Sequence, residues 1–311
     1  MNTIGLAQLL SPVTPQEFFN IHWPHLPLFV PAVPNKLKTL FDLAQLQNLE
    51  SLVATRVLKV RACLPDFDDE YSSINLEPQD ALKAYRNNMT LVFDSMQTQD
   101  QAIANALKKI REDLGLLTGG PENNLCRARS IVYATPGGTG TRMHFDANAN
   151  FVIQLQGTKR WLLSPNTSVK NPTERFTIGA FEMPAALEKQ CHAELLHEIP
   201  DDASEVIMKP GCVLYVPRGY WHATDTDEDS LSLNFTFSQP NWADVFTKSM
   251  QEWLLNSAEW RALADGLEGS DQERKNKAIA QFEILLKKLS LSLPEISGRQ
   301  LLTESGLLSS E

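Results

Sequence analysis

His144 and Asp146 stand one residue apart in the stretch RMHFDANANFVIQLQGTKRW, residues 142–161. In an extended strand, residues i and i+2 project to the same face. The spacing therefore aims an imidazole and a carboxylate in one direction. Two histidines and one carboxylate form a facial set that holds iron(II) and leaves the opposite coordination face open for a substrate and oxygen. The third ligand belongs on a later strand. His192 and His197 fall in CHAELLHEIPDD, which reads as a polar connection. His222 follows KPGCVLYVPRGYW, a turn, an apolar strand and a second turn, so it should stand just past a buried strand, near the rim of a barrel. His144, Asp146 and His222 are the expected metal ligands and catalytic centre. Cys191, His192 and His197 could instead suggest zinc, but that cluster lacks a fourth ligand.

Lys159 adds a second kind of chemistry. Phe151, Ile153, Leu155, Trp161 and Leu163 alternate along the apolar run, and Lys159 has the same parity. The register predicts a buried ammonium, unless Gly157 bends or bulges the strand. A buried cation needs an anionic partner. None is close in sequence, so a bound carboxylate would serve.

These residues need a scaffold of strands. RARSIVYATP, NFVIQLQGTKRWLLSP, CVLYVP and SLSLNFTF are short apolar runs bounded by Gly, Pro, Asn or Asp. Helix-length segments do not separate most of them, which favours an all-β sandwich or barrel. The glycine-rich TPGGTGT lets the chain bend into the strand that carries His144. Upstream, TPQEFFNIHW reads as a helix capped by Thr14 with Glu17 three residues later. PLFVPAVP and MTLVFDSM read as extended pieces. Ile103, Leu107, Ile110 and Leu114 recur at helical spacing. From Asn241 the pattern is helical again. Trp242, Phe246, Met250, Trp253 and Leu254 share one face of a first helix; Ala278, Phe282, Leu285, Leu286 and Leu289 share one face of a second. Gly266 and Gly269 separate them and Pro294 ends the second. The expected division is a β-rich domain over 1–240 and a helical region over 241–311.

Composition narrows the function. At 311 residues, 42% hydrophobic and 21% charged, the chain has the profile of a globular protein with a sizeable core. A net charge of −10 argues against non-specific nucleic-acid binding. Cys63, Cys126, Cys191 and Cys212 are widely spaced, with no CxxC pair, as reduced thiols would be. The opening MNTIGLAQLLSPVTPQ lacks the features of a secretion signal, and no run reaches the length of a membrane span. A cytoplasmic location is expected.

HFDANANFVIQLQGTKRW and KPGCVLYVPRGYWHAT resemble the two signature segments of the JmjC, or cupin-like, 2-oxoglutarate oxygenases. The likeness is strongest to the ribosomal oxygenases and to the asparaginyl hydroxylase that inhibits hypoxia-inducible factor. FFNIHWPHLPLFV and YATPGGTGTRMH extend it over roughly residues 15 to 240. The resemblance implies a double-stranded β-helix, or jelly roll, with a C-terminal helical element. It implies Fe(II) on His144, Asp146 and His222, with 2-oxoglutarate as cosubstrate. Lys159 matches the lysine that binds the far carboxylate of 2-oxoglutarate, and Thr141 a hydroxyl that hydrogen-bonds it. Asn234 matches an amide beside cosubstrate and metal, and Asn150 a polar neighbour of the metal. The implied reaction is hydroxylation of an amino-acid side chain, in a protein or an amino-acid-like substrate, with dioxygen. Asp146 favours hydroxylation or N-demethylation over halogenation, because related halogenases lack that carboxylate. A small-molecule hydroxylase on the same fold and a catalytically silent metal-binding cupin are the alternatives. Cys212 departs from relatives that carry an acid after the Pro-Gly turn. The tail suits a helical dimerisation element without a winged-helix domain, so the resemblance implies a homodimer but no ribosomal substrate.

Overall fold

The computed structural model describes residues 3–64, 72–117 and 127–308. Its strands are β1 (Leu28–Val30), β2 (Val60–Cys63), β3 (Ser73–Leu76), β4 (Thr90–Phe93), β5 (Arg127–Thr135), β6 (Thr139–Phe145), β7 (Ala149–Gln156), β8 (Lys159–Ser164), β9 (Phe176–Thr177), β10 (Ser204–Met208), β11 (Val213–Val216), β12 (Trp221–Thr226) and β13 (Ser230–Ser238). They form an eight-stranded sheet in the order β1-β11-β7-β13-β5-β4-β2-β3 and a five-stranded sheet in the order β10-β8-β12-β6-β9. The pairings are antiparallel. This is the expected two-sheet jelly roll with helical flanks.

Side-chain alternation explains how the sheets bury both faces. On the larger sheet, Phe151, Ile153, Leu155, Leu231, Leu233, Phe235 and Phe237 belong to one core with the N-terminal segments and the Gln101–Asp113 helix. That helix buries Ile103, Leu107 and Ile110, as their spacing requires, and Asp100 caps it by accepting from the Ile103 amide. The residues of opposite parity, Asn150, Ser232, Asn234 and Thr236, line a cavity. On the smaller sheet, Met143, Phe145, Trp221 and Ala223 pack outward against Val169, Leu187 and Leu195 of the following connection. His144 and His222, one residue off that parity, line the same cavity.

Three local readings change. NFVIQLQGTKRWLLSP is two strands, because Gly157 adopts φ +66° in a turn between β7 and β8. The strands lie in different sheets, so parity does not carry across the turn. Phe151, Ile153 and Leu155 belong to the helix-side core, whereas Lys159 and Trp161 line the cavity. Lys159 is buried as expected, but for a different reason from the one the pattern suggested. His222 is the second residue of β12 rather than a residue past a strand. The helix read from Thr14 is a short α-turn, Pro15–Glu17, that widens into a π-helix over Phe18–His22; Thr14 Oγ1 accepts from the Glu17 amide at 3.2 Å.

The chain forms two compact units, residues 1–239 and 240–311. In the second, Asn241 caps the Trp242–Leu254 helix in a reciprocal box with Asp244. The Gln272–Ser292 helix follows, and a further helix, Gly298–Glu304, lies beyond Pro294 where no helix was read. Met250 and Leu285 are buried, whereas Trp242, Phe246, Phe282 and Leu286 are exposed. Cys63, Cys191 and Cys212 are free thiols; Cys126 lies outside the described residues. No described helix is long and apolar enough to cross a membrane.

Candidate metal and cosubstrate site

β6 and β12 are direct neighbours, and their register sets His144 opposite His222. The two imidazole centroids are 4.1 Å apart. Gly140 permits this approach: a Cβ there would fall on the backbone oxygen of Thr224. Asp146 follows the last residue of β6 and turns its carboxylate toward both rings, with Oδ2 3.7 Å from His222 Nε2. One ligand atom from each of the three residues lies within 4.8 Å of the others, the only such set of His, Cys, Asp and Glu among the described residues.

The hydrogen bonds fix which nitrogens face inward. His144 Nδ1 lies 2.7 Å from the Arg142 carbonyl and His222 Nδ1 2.9 Å from the Tyr220 carbonyl. A carbonyl can only accept, so each Nδ1 carries a proton and Nε2 is the nitrogen left to hold a metal. Burial, followed by the neighbouring His144, pushes the His222 pKa well below the ordinary histidine range. Asp146 Oδ2 accepts from Asn150 Nδ2 at 3.1 Å, and Asn150 Oδ1 accepts from Thr236 Oγ1 at 2.8 Å. Arg175 Nε lies 3.9 Å from the other carboxylate oxygen. Two imidazoles anchored through Nδ1, with Nε2 left for coordination, and an oriented carboxylate are the donor set a divalent metal requires.

Lys159 begins β8 in the same sheet. It is 5% exposed, and its Nζ donates to Thr135 Oγ1 at 2.8 Å. Among the described residues no carboxylate pairs with it. Burial lowers its pKa to about 8. Thr141 and Asn234 line the same cavity, which encloses about 510 Å³. Two further lining atoms, Trp161 Nε1 and Asn234 Oδ1, are buried without a hydrogen-bond partner. Buried polar atoms normally find partners. An unpaired ammonium and two unsatisfied polar atoms in one cavity fit a polar, anionic occupant.

His144, Asp146, His222, Lys159, Thr141, Asn234 and Asn150 therefore line a single cavity. Thr236, Arg175 and Trp161 line it as well, and Thr135 holds the Lys159 ammonium, although the sequence did not mark any of them as site residues. The alternation in SLSLNFTF could have flagged Thr236, which shares a face with Asn234. Arg175 lies in an irregular connection and left no periodic signal. Cys191, His192 and His197 do not converge: Cys191 contacts Met183 and His197 pairs with Glu194.

A cupin-type barrel with a His-Asp-His face defines the class, and comparison with known proteins specifies it. Residues 121–245 match the JmjC domain family. It is 29% identical over 301 residues to the uncharacterized protein YxbC of Bacillus subtilis, covering 95% of this chain and 89% of that one. It is 28% identical over 272 residues to ribosomal oxygenase 1 of Gallus gallus, covering 84% of this chain but only 40% of that protein. The solved structure of E. coli ycfD shares the fold, with a TM-score of 0.50 and 16% identity over 89% of this chain and 67% of that one.

Proposed function

We propose that the chain is an Fe(II)- and 2-oxoglutarate-dependent oxygenase that hydroxylates an amino-acid side chain in a protein substrate. The observation that carries this reading is one cavity holding both a His-Asp-His face and a buried lysine that has no carboxylate partner among the described residues. The JmjC match and the homology to ribosomal oxygenases support it.

In this reading His144 Nε2, His222 Nε2 and an Asp146 oxygen hold the metal. Lys159 pairs with the far carboxylate of 2-oxoglutarate, and Thr135 holds the ammonium in place. Thr141 and Asn234 contribute polar contacts to the cosubstrate, and Asn150 keeps the Asp146 carboxylate turned to the metal. Iron(II) with 2-oxoglutarate and dioxygen supplies the oxidant for C–H hydroxylation, releasing succinate and carbon dioxide. The chain's own task is to orient the substrate carbon and to keep water out. Trp161, whose ring stacks on His222 at a centroid distance of 5.8 Å, covers one side of that imidazole.

The finer parts of the reading are a cytoplasmic location and a homodimer formed through residues 241–295. Exposed Trp242, Phe246, Phe282 and Leu286 on the C-terminal helices support the dimer. The substrate assignment is tested by incubating a cell extract with the iron-loaded chain and 2-oxoglutarate, then searching peptides for added oxygen by mass spectrometry. Enrichment of specific peptides over a His144→Ala control is the expected result. Oxidised metabolites without oxidised peptides would replace the protein substrate with a small one.

A further inference from the structure

Three turns lie side by side at one end of the barrel. Residues 136–138 join β5 to β6, residues 157–158 join β7 to β8, and residues 227–229 join β12 to β13. Each crosses from one sheet to the other. The last is the central one, because β12 runs between β8 and β6 while β13 runs between β7 and β5. Its neighbours carry the anchor for the cosubstrate. Thr135 ends the strand before one of them, and Lys159 begins the strand after the other. The two side chains meet across the sheets, Lys159 Nζ donating to Thr135 Oγ1.

The central turn grips both neighbours through its side chains. On one side, Glu228 Oε1 accepts from the Thr158 amide at 2.8 Å, and the Thr226 hydroxyl donates to the Thr158 carbonyl at 2.7 Å. Both backbone polar groups of the residue before Lys159 are therefore held. On the other side, Asp229 Oδ1 accepts from the Gly137 amide at 3.0 Å, two residues past Thr135. Tyr85, beside Asp229, donates to the Thr135 carbonyl at 3.1 Å. Burial, and then the charge of Asp229, push the Tyr85 phenol above its ordinary range, so it keeps the proton it donates. Gly157 lets the central turn close on its neighbour, since a Cβ there would fall on the Asp229 carbonyl oxygen. Glu228 and Asp229 are exposed, and neither lines the cavity that holds Lys159.

We propose that Glu228 and Asp229 are positioning residues for the cosubstrate, which set the spacing of Lys159 and Thr135 from outside the cavity and so fix where the far carboxylate of 2-oxoglutarate is held. The proposal rests on the oxygenase reading above and assigns two residues to the chain-length specificity of that site. An ammonium on a flexible four-carbon stem marks a definite point only when its backbone and its partner are both fixed. Carboxylate acceptors suit that task, because they give backbone amides short, charge-assisted bonds. Charge alone would act in the opposite sense. Two carboxylates near a site for a dianion repel it, so their removal would tighten binding if nothing else changed.

Calorimetry of the manganese-loaded chain with 2-oxoglutarate and with 2-oxoadipate, one methylene longer, tests this. The wild type is expected to favour 2-oxoglutarate by at least about tenfold. Glu228→Ala combined with Asp229→Ala should weaken 2-oxoglutarate about tenfold and 2-oxoadipate only about threefold, so the preference shrinks while manganese affinity holds. Glu228→Gln combined with Asp229→Asn keeps an acceptor oxygen at each place and should retain the wild-type preference. An unchanged preference or tighter 2-oxoglutarate binding in the first double variant overturns the proposal, as does loss of the preference in the second. The ratio is insensitive to partial loss of folded protein. Failure of the wild type to bind 2-oxoglutarate would instead count against the oxygenase reading, and the proposal would fall with it.

Discussion

Lys159 carries the sharpest expectations at the scale of single residues. Lys159→Ala removes the charge that pairs with the far carboxylate, so 2-oxoglutarate affinity should fall at least about tenfold while manganese affinity holds. Calorimetry with manganese present checks this, and equal affinities would remove the role. Burial lowers the lysine pKa to about 8, so the ammonium is present below that pH and must be formed on binding above it. Affinity for 2-oxoglutarate should be flat below about pH 8 and then weaken by up to about tenfold per pH unit. In Lys159→Arg, which binds less well because the guanidinium is larger and planar, the decline should vanish. The amide behind the carboxylate is the second case. Asn150→Ala leaves Thr236 without its acceptor and Asp146 Oδ2 without its donor. Metal affinity should drop about 10–100-fold with the fold intact, as for other groups that orient a ligand. Retained affinity would mean that Asp146 orients without help.

At the scale of elements, the site depends on how closely β6 and β12 approach. Gly140→Ala would drive a methyl group into the Thr224 carbonyl, so the strands must part where His144 and His222 face each other. We expect a loss of roughly 1–3 kcal/mol in chemical denaturation, accompanied by weakened manganese binding. Lower stability with unchanged metal binding would show that the histidine pair tolerates a shifted register. The same elements show what the sequence could reveal. The i, i+2 spacing brought His144 and Asp146 together because that geometry is local. His222 was found by type and strand context, but its place opposite His144 comes from pairing across 78 positions of chain, which no local pattern encodes. Lys159 is the instructive case. The alternation suggested burial, yet the turn at Gly157 moves the lysine to another sheet, and its hydroxyl partner Thr135 comes from a third strand. Gln101–Asp113 was legible because one apolar stripe meets one core, whereas Gly298–Glu304 has no buried residue and no stripe to read.

At the scale of the whole molecule, the exposed apolar side chains of the C-terminal helices predict self-association. Covering a large apolar side chain contributes roughly 1.5–3 kcal/mol, and Trp242 is 82% exposed in the single chain. Light scattering at micromolar concentration should give twice the chain mass, and removal of residues 241–311 should give a monomer. A monomeric full chain would contradict the dimer, and a dimer that survives truncation would move its interface to the barrel. The central claim, however, is chemical, and it is met most directly by following 2-oxoglutarate and succinate by NMR in air with iron(II) and a reductant. The wild-type chain is expected to form one succinate for each 2-oxoglutarate consumed, and His144→Ala to fall to the level of iron alone. Equal consumption by the wild type and His144→Ala, or none above iron alone in either, would contradict that claim.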